Sequence, residues 1–200
     1  MRIGELTTVR TGLVSSRKST VHSEKPKRIY RLLNLKCVSV EGYLNIDEAE
    51  PYEATENLKE DYLTHLGDVL IRLSAPYTAV LIDHPNLCGF IVPSHFAILR
   101  TDPKIILPGY LHWFLQREQT KSDLTKSSSG STSFGTISAG AVSSLSIPLL
   151  PISEQERLAN LWLLTKKEQE LLRRLAEEKR KENALLLDKV YKSMKRGSQI

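Results

Sequence analysis

The chain has 200 residues, 40% of them hydrophobic and 26% charged, with net charge +5 and a pI near 9.2. That length holds one ordinary domain plus an appendage, and the apolar content suffices for a packed core. Met1-Arg2-Ile3-Gly4-Glu5 lacks a signal-peptide core, no apolar run reaches membrane-spanning length, and Cys37 and Cys88 have neither disulfide-framework nor metal-site spacing. The expectation is a cytoplasmic protein with buried thiols and no membrane partner.

The charge is segregated. Residues 1–36 carry nine Lys/Arg against Glu5 and Glu24, and residues 37–68 carry nine acidic residues against Lys59 alone. A basic N-terminal cluster points to phosphate contact, and the bland alternative is a solvated face that balances the acidic block behind it.

In chain order, residues 29–40 are β-rich and partly alternating, which predicts a strand. Leu66-Gly67-Asp68 predicts a turn leading into a buried strand, Val69-Leu70-Ile71-Arg72-Leu73. Residues 78–83 and 89–92 read as strands separated by Asp83-His84-Pro85-Asn86, and residues 96–100 as another. Pro108-Gly109 opens an amphipathic helix over 110–118, with Leu111, Phe114 and Leu115 on one face. Residues 127–133 are Ser/Gly/Thr-rich, too polar to order alone. Residues 142–149 predict a return to strand.

Ile147-Pro148-Leu149-Leu150-Pro151-Ile152 then meets Ser153-Glu154-Gln155-Glu156, which fits a capping box at a helix start. No Gly or Pro follows until the last few residues, so a continuous helix there is about 60 Å long at 1.5 Å per residue. Leu158, Leu161, Leu172, Leu175 and Leu186 follow a 3-4 repeat that Thr165, Glu168, Lys179 and Glu182 interrupt. Such a rod needs a partner helix. The expected organisation is a mixed α+β domain with a β-rich core over residues 1–152, a long helix over 153–196, and a disordered tail over 197–200.

Catalytic motifs are missing from the sequence. There is no G-x-G-x-x-G, G-x-x-x-x-G-K-[ST] or G-x-S-x-G, and no Asn/Asp-Pro-Pro-aromatic loop. The five histidines form no H-x-x-x-H pair, so neither a metal nor a cofactor is expected. Glu177-Glu178-Lys179 lies in a charge run and reads as a solvated helix face.

Leu66-Gly67-Asp68-Val69-Leu70-Ile71, Pro108-Gly109-Tyr110-Leu111-His112-Trp113-Phe114-Leu115, Ser128-Ser129-Gly130-Ser131-Thr132, Ile137-Ser138 and the Ile147–Gln155 junction occur in that order. In this series the chain resembles the DNA-specificity subunit of type I restriction-modification systems, in a single target-recognition-domain or half-subunit form. The family pattern has two recognition domains, each followed by a long helix, with the two helices paired antiparallel. One domain and one helix implies that the usual architecture is rebuilt by dimerisation, with itself or with another specificity chain. The resemblance implies sequence reading by the domain, methyl transfer by a separate modification subunit and cleavage by a restriction subunit, so this chain is not itself an enzyme. Its partners would be double-stranded DNA and those subunits. After Arg72 the chain departs from the family, with Leu73-Ser74-Ala75-Pro76-Tyr77 where many relatives carry a Ser-x-x-Gly-like segment.

For DNA contact the candidates are Arg17, Lys18, Lys25, Lys27, Arg28, Arg72, Tyr77, Lys121, Lys126 and the Ser128, Ser129, Gly130, Ser131, Thr132 segment. Lys and Arg in loops neutralise phosphates without fixed geometry. Hydroxyls and Gly N–H groups approach backbone or base edges closely. Arg72, just past a turn, has the bidentate fork that fits guanine. The bland readings are a plain connector for the Ser segment and a turn aromatic for Tyr77. The acidic stretch over 41–68 is expected away from DNA. The rival function is a coiled-coil assembly or adaptor module with no DNA-reading role, which accounts for the helix alone.

Overall fold

The computed structural model describes residues 1–14, 27–128 and 135–197. They fall into two units, residues 1–159 and the chain from Asn160 onward. The first unit is α+β. Its centre is an antiparallel sheet of β1 (Thr7–Thr11), β6 (Phe96–Thr101), β4 (Val69–Arg72) and β5 (Ala79–Leu81), in that order. A separate antiparallel pair joins β2 (Arg28–Leu32) to β3 (Glu50–Ala54).

The central strand explains the continuous apolar run at 69–73. Strand side chains alternate between faces, and both faces of this sheet are covered. Val69 and Ile71 pack with Leu99, Tyr110, Leu111, Leu115 and Val142 on one side. Leu70 packs with Ile98, Val80, Phe96, Leu33 and Cys37 on the other. A third cluster, with Tyr30, Tyr52, Leu58 and Ile91, includes residues of the β2–β3 pair.

The helices of this unit are α1 (Ile3–Leu6), α2 (Pro108–Gln116), α3 (Glu118–Ser128) and α4 (Ala139–Ser144). α2 also protects the edge strand β5. Gln116 Nε2 donates to Ala79 O at 3.1 Å, and Gly42, at φ +82°, lies against the same groups.

Several local expectations are corrected. The 29–40 strand ends at Leu32, because the Asn34 side chain accepts from Lys36 N and Cys37 N and closes a short 3-10 turn instead. Residues 89–92 form no strand, and Ile91 makes only isolated bridges to Leu32 and Leu63. Residues 142–149 are not a strand either: Ser138 caps α4 at Ala141 N, and Val142 is buried on that helix. The first strand, β1, and the acidic strand, β3, lie outside the sequence-predicted elements. So does α3, which takes in Ser127 and Ser128 from the polar segment.

The long helix, α5, runs Ile152–Gly197. It starts one residue ahead of the capping-box frame. Pro151 O accepts from Glu154 N and Gln155 N, both at 3.0 Å, so Ser153 sits inside the first turn. From Asn160 onward its surface carries pairs at i,i+3 and i,i+4, including Lys181–Glu178 at 2.8 Å and Lys192–Asp188 at 2.6 Å. Leu161, Leu172, Leu175 and Leu186 are exposed, as are Leu164, Leu171 and Leu187. Leu158 differs: it is half-buried and packs against the domain core, so its place in the leucine repeat that meets a partner helix is corrected. No helix among the described residues is long and apolar enough to cross a membrane.

Candidate nucleic-acid interface

Two of the sequence motifs, the Gly67-Asp68 turn and the Ile147–Gln155 junction, are structural locks. Gly67, at φ +87°, makes the turn before β4. The Asp68 carboxylate, 3% exposed, accepts from His65 N at 2.9 Å and from Arg100 Nε at 2.9 Å. At the junction, the Tyr110 hydroxyl donates to Pro148 O at 2.7 Å. Gln155, fully buried, accepts from Leu107 N at 2.8 Å and donates to Ile105 O and Leu150 O. These groups fix where α5 leaves its domain, and none of them is free to meet a ligand.

The surface that can meet one is set by the polarity of the central sheet. At one end each strand is flanked by a carboxylate: Glu5 before β1, Asp68 before β4, Asp83 after β5 and Asp102 after β6. The opposite end is assembled from residues 11–14, 72–78, 93–96 and 135–137, which contain no Asp or Glu. Backbone bonds tie these pieces together. Leu13 N donates to Val92 O at 2.7 Å and Ser94 N to Leu13 O at 2.8 Å, while Leu73 N donates to His95 O and Ile137 N to Leu73 O, both at 2.8 Å. Ser74 pairs with Thr136 in an antiparallel bridge. These four segments carry no carboxylate but do carry a cation, and such a strand end suits a phosphate backbone, although Glu118 of α3 borders it.

Arg72 is that cation. It ends β4 half-exposed, and its Nε donates to Ser74 Oγ at 2.8 Å. It forms no ion pair among the described residues. The turn after it leads to a cavity of about 280 Å³ lined by Ala75, Pro76, Tyr77 and, from α3, Glu118, Lys121, Ser122 and Thr125. Lys121 Nζ lies 3.6 Å from the Glu118 carboxylate, and Lys126 Nζ lies 3.4 Å from Asp123. Both lysines stand on one helix beside the turn, already partly neutralised.

The other predicted contacts divide. Tyr77 is corrected: it is 2% exposed, belongs to the core cluster, and its hydroxyl donates to Gly135 O at 2.7 Å. A buried, bonded phenol cannot lie on a base or phosphate. Lys27 and Arg28 are exposed, with the Arg28 guanidinium 4.9 Å over the Tyr30 ring. Strand pairing sets β2 against β3, with Ile29 opposite Glu53 and Leu32 opposite Glu50, so part of the acidic block neighbours these two cations. The rest of that block is partly consumed internally, through Arg10–Asp61, Arg100–Asp61 and Arg100–Asp68. Arg17, Lys18 and Lys25, and Ser129, Gly130, Ser131 and Thr132, lie outside the described residues; Ser128 closes α3. Ser74, His95 and Thr136 were missed, because only tertiary pairing brings them beside Arg72.

No protein-family model and no curated protein matches the chain. Solved structures do. A chain from a study of complex assembly and conformational transition of the type I R-M system shares 22% identity at TM-score 0.66, over 93% of this chain and 46% of that one. The HsdS subunit from Thermoanaerobacter tengcongensis gives 22% identity, TM-score 0.62 and the same coverage. The S subunit of a type I restriction-modification system from M. genitalium gives 18% identity and TM-score 0.53, over 90% of this chain and 42% of that one. The chain therefore spans less than half the length of each, and over that span it has the fold of type I restriction-modification specificity subunits.

Proposed function

We propose that this chain is a sequence-specific DNA-recognition subunit of a type I restriction-modification complex. The observation that carries the reading is the end of the sheet whose four converging segments contain no Asp or Glu. Four segments distant in sequence converge there around Arg72, on a fold shared with specificity subunits. In this reading Arg72 reads a base edge while Lys121 and Lys126 position the phosphate backbone. The long helix pairs antiparallel with a second copy, or with another specificity chain, through Leu161, Leu172, Leu175 and Leu186. Two copies related by a two-fold axis read one half-site each on opposite strands, so the target is a bipartite palindrome with an unread spacer. Methyl transfer and cleavage belong to separate modification and restriction subunits.

The test has two arms. The purified chain should bind duplex DNA with an affinity that falls steeply with salt, and should transfer no labelled methyl group by itself. Adding a modification subunit should produce methylation at the selected site. Methyl transfer by the isolated chain, or salt-independent binding, contradicts the reading. The adaptor alternative rests on the helix alone and leaves that end of the sheet without a role.

A further inference from the structure

We propose that Tyr77 is a positioning residue that sets base discrimination by holding the Arg72–Ser74 turn in register with the segment that begins at Gly135; this rests on the DNA-reading function proposed above. Tyr77 has φ +54°, the left-handed region that bulky L-residues avoid. Such a backbone persists only where the surroundings hold it, and such outliers cluster at functional sites. The surroundings here are explicit. Tyr77 N donates to Ser74 O at 3.0 Å, closing the turn. The ring is buried in the core, and its hydroxyl reaches Gly135 O at 2.7 Å. Ala75 N donates to the same carbonyl at 3.2 Å. One carbonyl thus gathers two donors from the turn.

The consequence runs to Arg72. Its Nε is oriented by Ser74 Oγ, and Ser74 is bridged to Thr136, next to Gly135. Removing the Tyr77 hydroxyl frees one of the two ties on Gly135 without changing the charge of the surface. The guanidinium fork keeps its chemistry and loses its fixed aim. Two-point base recognition depends on that aim, whereas phosphate attraction does not. Gly135 supplies a check from the other side. At φ +60° it takes a conformation that side chains resist, although an added Cβ would stand 3.5 Å from the Tyr77 hydroxyl in ordinary contact.

The experiment measures, with the full chain below its melting temperature, the binding ratio between the selected site and a site altered at the position that Arg72→Ala relaxes. Tyr77→Phe should lower that ratio about tenfold. In the Arg72→Ala background it should lower the ratio by less than about twofold, because the two residues act on one contact. Gly135→Ala should reproduce the Tyr77→Phe loss. A wild-type ratio in Tyr77→Phe overturns the proposal, including the case where only the melting temperature falls, since that is all a purely structural hydroxyl would do. Losses that multiply in the double variant overturn it too. If the wild-type chain itself prefers no sequence, the functional reading fails first, and the two failures are told apart by that control.

Discussion

Gln155 Oε1 accepts the Leu107 N–H at 2.8 Å, and this bond joins the first turn of α5 to the loop that leads into α2. The same side chain donates to Ile105 O and Leu150 O. One buried amide therefore satisfies three backbone groups at once. Gln155→Ala should cost about 2–4 kcal/mol of domain stability, because it leaves buried polar groups unpaired. Urea denaturation checks this, and a loss below about 0.5 kcal/mol would mean that water replaces the amide.

High pH should weaken the fold through two buried groups. Burial pushes the Tyr110 phenol above its usual range against the opposing pull of Arg117. Burial likewise raises the Cys37 thiol, with the bond from the Asn34 backbone opposing and Glu48 adding to the rise. Each is an acid whose folded pKa lies above its unfolded one, so the unfolded chain gives up the proton first. Stability should be full below the unfolded values and should fall as pH rises past them, from about pH 8 for the thiol and about pH 10 for the phenol. Tyr110→Phe should cost about 1 kcal/mol at neutral pH, from the lost bond to Pro148 O, and should flatten the upper part of that decline. A denaturation midpoint that does not change across this range would contradict the assignment.

Pairing through α5 should be separable from domain folding. Leu172 and Leu175 are each 58% exposed, whereas Leu158 packs on the domain core. Leu172→Asp with Leu175→Asp should abolish self-association in sedimentation equilibrium while leaving the melting temperature of the domain in place. Leu158→Asp should lower that melting temperature. An associating Leu172/Leu175 double variant would place the seam elsewhere on the helix.

Much of this was legible locally. Gly67-Asp68 announces a turn, and two prolines ahead of a Gly-free leucine run announce a helix start. Those signals act within a few residues, where φ preference and missing N–H groups decide. Residues 142–149 misled because a short apolar run fits either element: the Ser138 cap put 142–144 into α4, and the rest runs on without helix or a named strand. Tyr77 reads from sequence as a DNA contact or a turn aromatic, since nothing near it in sequence shows that Gly135, far along the chain, takes its hydroxyl. The polarity of the sheet was likewise hidden. Glu5, Asp68, Asp83 and Asp102 look scattered until antiparallel pairing puts them at one end.

Base-reading and phosphate contacts should respond differently to substitution. Arg72→Ala should relax one position in both half-sites, at a cost of about 1–3 kcal/mol of discrimination. Lys121→Ala or Lys126→Ala should weaken binding to all sequences alike and flatten its salt dependence. Lys27→Ala should do the same more weakly, since β3 carries Glu50 and Glu53 beside that strand. Competition binding over a range of salt concentrations distinguishes these patterns. A sequence-specific loss from Lys121→Ala would reverse the assigned roles.

The most direct measurement is selection of bound duplexes from a random pool by the wild-type chain and by a variant with seven residues inserted after Glu178. The wild type should enrich an inverted repeat with an unread spacer. The insertion adds roughly 10 Å at 1.5 Å per residue and nearly preserves helical phase. The spacer should therefore lengthen by about three base pairs at ~3.4 Å rise, with each half-site unchanged. No enriched sequence from the wild type, or a changed half-site with an unchanged spacer in the variant, would contradict the account.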